Sequence, residues 1–284
     1  METIQQQIGA MQEEIKQLRK ELKEVKKGNF DEVTCKKVTC KGWDVVDEEG
    51  KERISAFTNL KGQAVVQWLD KDGEMRIAAA TLADGNAGVQ LLDKDGKMRI
   101  AASTYADGDA DVQWYDKHGK KRIAASTFDD GQASVHWYDK DEKRRITAST
   151  LADGQASVQW YDKDEKRRIA ASTFDDGQAS VQWYDKDEKR RIDAITLADG
   201  QASGAWYDND EKARIMAGTT ADGHASMAWS DKEGKLRIGA GTFANGDAGV
   251  HWYDKNETAR IAARILADGT VILPTKDSTS PKKP

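Results

Sequence analysis

The sequence predicts an all-β repeat fold, an elongated antiparallel β-meander behind an N-terminal α-helical coiled coil, and three observations predict it. An Arg-Ile dipeptide recurs ten times, from Arg53-Ile54 to Arg260-Ile261, at a constant step of 23 residues. Inside each unit constrained positions alternate with variable ones, the period of strands that turn one face to a core. Turn residues separate the alternating runs, Ala-Asp-Gly or Asp-Asp-Gly at one end and Lys-Asp-Gly-Lys or Lys-Asp-Glu-Lys at the other.

Composition agrees with a thin body. Charged residues make up 33% of the 284 and hydrophobic residues 38%, a hydrophilic balance for a compact core but sufficient for an elongated one. The net charge of -5 arises from 44 basic and 49 acidic groups interleaved along the chain, which excludes a basic face for nucleic acid and a polybasic membrane patch. No apolar run approaches the roughly 20 residues of a bilayer span, so membrane insertion is not expected. The opening Met-Glu-Thr-Ile-Gln-Gln lacks the features of a secretory signal. The compartment stays open: a surface, extracellular or virion location would follow export or lysis.

The first element is a helix. Ile4, Ile8, Met11, Ile15, Leu18, Leu22 and Val25 are spaced 4, 3, 4, 3, 4, 3, a heptad seam that predicts a parallel coiled coil over residues 1–28. With Ile8, Ile15 and Leu22 at a, Glu14 meets Arg19 and Glu21 meets Lys26 of a neighbouring chain, which favours an in-register parallel arrangement. The alternative is an amphipathic helix docked on its own chain. Residues 29–46 are read as a collar with the first strands.

Residues 47–273 carry ten 23-residue β-hairpin repeats. In the unit from Arg145, Ile146, Ala148 and Thr150 recur on the first strand and Ala156, Val158 and Trp160 on the second. These form the core-facing set, with Trp114, Ile123, Trp137, Ile169 and Trp183 at equivalent places. The Asp-Gly loop predicts a three-residue turn closed by a left-handed Gly, so Gly131, Gly154 and Gly177 are read as backbone requirements. At the other loop Gly gives way to Glu, which predicts a four-residue turn in right-handed geometry, capped by the preceding Asp. The scheme pairs Ile146 with Trp160, Ala148 with Val158, Thr150 with Ala156, Trp160 with Ile169 and Tyr161 with Arg168. About twenty strands at roughly 4.8 Å each give a meander about 95 Å long.

One apolar sheet face needs another layer, and the repeats provide no helix to cover it. Sister copies are therefore the expected partner, three favoured over two, with the bulky Ile/Trp margin of one sheet against the Thr/Ala margin of the next in a triangular prism. A five-bladed propeller is the monomeric alternative, since Phe128, Leu151, Phe174 and Leu197 alternate with a 46-residue period.

On the outward face the scheme sets Arg145 opposite Tyr138 and Tyr161, with Gln159 alongside. This ladder seals the surface; the alternative is a lectin-like track for an extended cell-surface glycan, built from Tyr138, Arg145, Gln159 and Tyr161. No metal, cofactor or catalysis is expected: the Asp-Lys-Asp-Gly turns lack the ligand spacing of calcium loops, and His118, His136, His224 and His251 sit at unrelated repeat positions. Cys35 and Cys40 are either ordinary small residues or, outside the cell, an interchain staple. Residues 274–284 are read as a flexible tail.

The stretch from Tyr115 to Ile123, and with Glu for Gly from Tyr161 to Ile169, resembles the YD repeats of Rhs-type toxins and teneurins over half of each unit. The whole layout, a heptad helix and then Asp-x-x-Gly-x-x-Arg and Ala-Asp-Gly hairpins, more closely resembles a class of bacterial hairpin-repeat proteins, and in architecture the trimeric fibres of phage tails. That resemblance implies a structural fibre, stalk or filament subunit, a spacer or an adhesin, and no enzyme.

Overall fold

The computed structural model describes residues 4–27 and 40–273. The chain divides into two compact units, Met1–Lys41 and Gly42–Pro284.

In the first unit one helix, α1, runs Ile4–Lys27. Its Gln, Glu, Lys and Leu residues are good helix formers, and at 1.5 Å per residue it extends about 36 Å. Met11, Ile15 and Leu18 of the heptad seam lie on its surface, each about half exposed. The side chains of Ile8 and Leu22 lie outside the described residues, as do Cys35 and residues 274–284.

Among the described residues the second unit is a single antiparallel sheet of 21 strands, β1 to β21 in chain order. Each strand pairs with the one before and the one after it, from β1 (Gly42–Val46) on β2 (Glu52–Thr58) to β20 (Ala259–Ile265) on β21 (Val271–Ile272). Because β1 and β21 have one partner each, the sheet is not closed. The five-bladed propeller is thereby corrected. The ladder runs on through every junction where a blade would end, because both turns are equally tight and give the chain no room to leave the sheet.

Register follows the repeat. Between β10 (Arg144–Thr150) and β11 (Ala156–Tyr161), Ile146 pairs with Trp160, Ala148 with Val158 and Thr150 with Ala156. Between β11 and β12 (Arg167–Thr173), Trp160 pairs with Ile169 as the alternation requires, but Tyr161 pairs with Arg167 and not Arg168. A β-bulge between Trp160 and Tyr161 causes the slip and recurs in the other repeats. By the same bulge Tyr138 pairs with Arg144, and the expected Arg145 partner is corrected.

The turns explain the bulge. At the Ala-Asp-Gly end Leu151 N–H donates to Gln155 O and Gly154 N–H to Leu151 O, with Gly154 at φ 90°, the three-residue loop the sequence predicts. At the other end Asp162 N–H donates to Lys166 O and Glu165 N–H to Asp162 O. This too is a three-residue loop, with Glu165 left-handed at φ 59°, and the four-residue turn is corrected. Left-handed backbone costs an ordinary residue about 1–2 kcal/mol. The Glu side chain compensates: Glu165 Oε1 accepts the Arg144 N–H of the preceding repeat at 3.1 Å, a donor at the bulge. Glu142, Glu188, Glu211 and Glu257 repeat the bond.

Candidate functional site: two unlike faces of one sheet

The turn Asp that precedes each of these loops organises one edge. Asp162 Oδ1 accepts the N–H groups of Asp164 at 2.8 Å and Lys166 at 3.1 Å, and its Oδ2 takes the Arg168 guanidinium six residues on. Arg168 also donates to the main-chain oxygen of Asp185 in the next repeat. Asp185 then pairs with Arg191, which donates to Asp208 O, so the link passes from repeat to repeat. An Asp–Arg pair of this kind stands in every repeat, from Asp47–Arg53 to Asp254–Arg260. Burial raises the carboxyl pKa, but backbone N–H groups and the guanidinium outweigh it and hold Asp116 and Asp185 down to about 2. Asp139 and Asp162 shift downward for the same reasons. Arg145, the glycan candidate, belongs to this edge through Asp139 at 2.5 Å.

The outward face closes over itself. The guanidinium of Arg144 lies 4.8 Å from the centre of the Tyr161 ring, and Arg167 and Arg190 cover Tyr184 and Tyr207 at 4.4 Å. Tyr161 Oη donates to Gln159 Oε1 at 2.6 Å, and Tyr115 does the same to Gln113. At Gly239 a Cβ would meet the Tyr253 ring at 3.7 Å, which shows what the phenol covers: the small residue on the preceding strand. Ala124, Ala170, Thr147 and Ser55 occupy that slot and are the most buried residues described, at 7–8% exposure. The sequence marks the slot as variable and outward, so alternation alone gives no hint of its burial. His136 joins the layer through Thr147 at 3.1 Å; burial lowers its pKa, helped by Arg144 and Lys121. Tyr138, Gln159 and Tyr161 are thus brought together with Arg144, although the buried Nε of Arg144 and that of Arg167 find no hydrogen-bond partner.

The other face has no such layer. Ile123, Ile146, Ile169 and Trp114 are half-buried, while Trp137, Trp160 and Trp183 keep 37% exposure and Trp206 39%. Between the tryptophans and the Asp-Gly turns a groove of about 1330 Å³ runs from β7 (Ala110–Tyr115) to β17 (Ala225–Ser230), lined by small residues such as Val135, Ala148, Ala156, Val158 and Ala171. From Ile123 to Trp229 the residues in register on this face are Ile, Ala, Thr, Val, Trp, one Gly and one Met, none of them ionisable.

Cys40 is a free, exposed thiol. Among the described residues no His, Cys, Asp and Glu cluster of metal-binding size occurs, and no helix is long and apolar enough to cross a membrane.

No protein-family model matches the sequence, and no curated protein matches it. Among solved structures the chain is similar to the TCP domain of SAS-4 (dCPAP) of Drosophila melanogaster, solved with a proline-rich motif of Ana2, at 12% identity and a TM-score of 0.35. That alignment covers 61% of this chain and 96% of the other. It is also similar to TcdB2-TccC3 at 9% identity and a TM-score of 0.21, over 79% of this chain and 15% of that one.

Proposed function

We propose that the protein is a structural subunit of a fibre, stalk or filament, held in a homo-oligomer by the heptad helix and by the apolar face of the repeat sheet. One observation carries this reading: a sheet of 21 strands has one face sealed by its own Tyr, Arg and Gln side chains while the other leaves a row of tryptophans open to solvent. Monomeric proteins seldom expose a contiguous apolar patch of more than a few hundred Å², and this one extends along the repeats. The heptad seam, with its Glu14–Arg19 and Glu21–Lys26 register, supports parallel assembly, and the unequal margins of the apolar face support three copies over two. The near-identical repeats suit a spacer, which needs length more than a specialised pocket.

Negative-stain microscopy with light scattering tests the proposal. Rods of uniform length and a mass of three chains are expected; isolated monomers at micromolar concentration would sink it. The lectin-like reading depends on free Tyr and Gln groups, and Tyr161 and Gln159 already bond each other. A glycan array with no binding is the expected result, and binding lost in Tyr161→Ala would restore that alternative.

A further inference from the structure

We infer that the small-residue groove of the apolar face receives the tryptophan margin of a second copy of this chain, lying parallel and in register. The inference rests on the fibre reading and says which surfaces meet.

Three features of the sheet lead to it. First, groove and tryptophans share one period. Along the groove, from Trp114 to Trp229, each repeat offers one segment of groove, as at Val158 and Ala171, and one indole, as at Trp160. Both recur every two strands, about 9.6 Å at roughly 4.8 Å per strand. A second copy in parallel register therefore places an indole against each groove segment once a single one is seated, whereas an unrelated apolar partner would need the same spacing by coincidence. The groove spans eleven strands, so several such contacts form together.

Second, the area suffices. A face about 95 Å long and five residues wide, at about 3.3 Å per residue, presents roughly 1,500 Å², against the roughly 800 Å² per partner of a stable interface. Third, the chemistry is neutral. With no ionisable side chain on this face between Ile123 and Trp229, neither an acidic nor a basic partner finds a complement there, while a second apolar face meets no unpaired charge. The margins are unlike, bulky on one side and small on the other, so the contact is head-to-tail around an axis and closes on a small ring of copies.

Disulfide trapping tests it in the full chain carrying C35S and C40S. One preparation has Trp160→Cys, the other Ala171→Cys; they are mixed, dissociated, reassociated and gently oxidised. The mixed disulfide is expected to exceed either like-with-like product by about tenfold, as only one pairing brings the two positions together. A predominant W160C–W160C product would overturn the inference, because the bulky margins would then face each other. An oligomer of native mass with no interchain disulfide would overturn it too and leave the fibre reading standing. A native protein that is monomeric would end both. Since Trp160→Cys removes a large side chain, Ala171→Trp serves as the second variant. It keeps the sheet, checked by circular dichroism, and fills the groove, and is expected to weaken assembly about tenfold or more; unchanged assembly with the sheet intact would overturn the inference.

Discussion

The two faces of the sheet are built from the same strands, yet one completes itself and the other does not. On the outward face, long side chains alternate with small ones, so Tyr161 covers its neighbours, bonds Gln159 and is covered by Arg144. On the apolar face the tall residues, Ile and Trp, crowd one margin, and nothing of comparable length rises from the Thr/Ala margin to lie over the middle. Local sequence can seal a single-layer sheet where polar side chains are long enough to fold back on it. Where the side chains are apolar and short, the strands do not cover themselves, and the proposed assembly starts from that gap.

The strongest way to break this comparison is to place charge on each face in turn. Val158→Asp with Val181→Asp is expected to abolish assembly, measured as a fall to monomer mass in sedimentation. Ser157→Asp with Ser180→Asp, one residue over and on the sealed face, is expected to leave the mass unchanged. Equal losses from both pairs would show that the faces do not differ in role.

Acid separates the polar edge from both faces. The turn carboxylates have folded pKa values below their ordinary range, about 2 for Asp116 and Asp185. A depressed carboxyl pKa gives stability that is present above the unfolded value near 3.8 and lost as pH falls through the folded one. Circular dichroism against pH should therefore show the sheet intact at pH 5 and losing stability between about pH 4 and pH 2. A sheet as resistant to denaturant at pH 2 as at pH 6 would show that the Asp–Arg edge contributes little.

A smaller effect sharpens the contrast between the two kinds of turn. Glu165→Ala keeps the left-handed strain and loses the bond to Arg144 N–H, so a loss of about 1 kcal/mol is expected. Glu165→Gly loses the bond and relieves the strain, and should stay near the native value. Denaturant titration of the two variants checks the order, and Ala equal to Gly would remove the compensation argument. Least in magnitude is the titration of Tyr207. Burial, with the hydrogen bond to Asp193 at 2.7 Å, raises its pKa to about 12. Asp193→Ala should let the phenol ionise at lower pH in an ultraviolet titration, and no change would mean that burial alone sets the value.

Much of this was legible in the residues. The 23-residue step, the alternation in Ile146, Ala148 and Thr150, and the Gly of each Ala-Asp-Gly turn determine strands, pairing and which side chains share a face, because these depend on near neighbours and on a period of two. The Asp cap was legible for the same reason. Three features were decided only by the folded sheet. Glu165 takes a left-handed conformation because its carboxylate reaches an N–H 21 residues away. Tyr161 meets Arg167 because a bulge adds a residue to one strand. Thr147 and Ala170 are buried because side chains from other positions lie over them. Each depends on contacts between consecutive repeats, and the cost or gain of such a contact exists only once the strands are side by side.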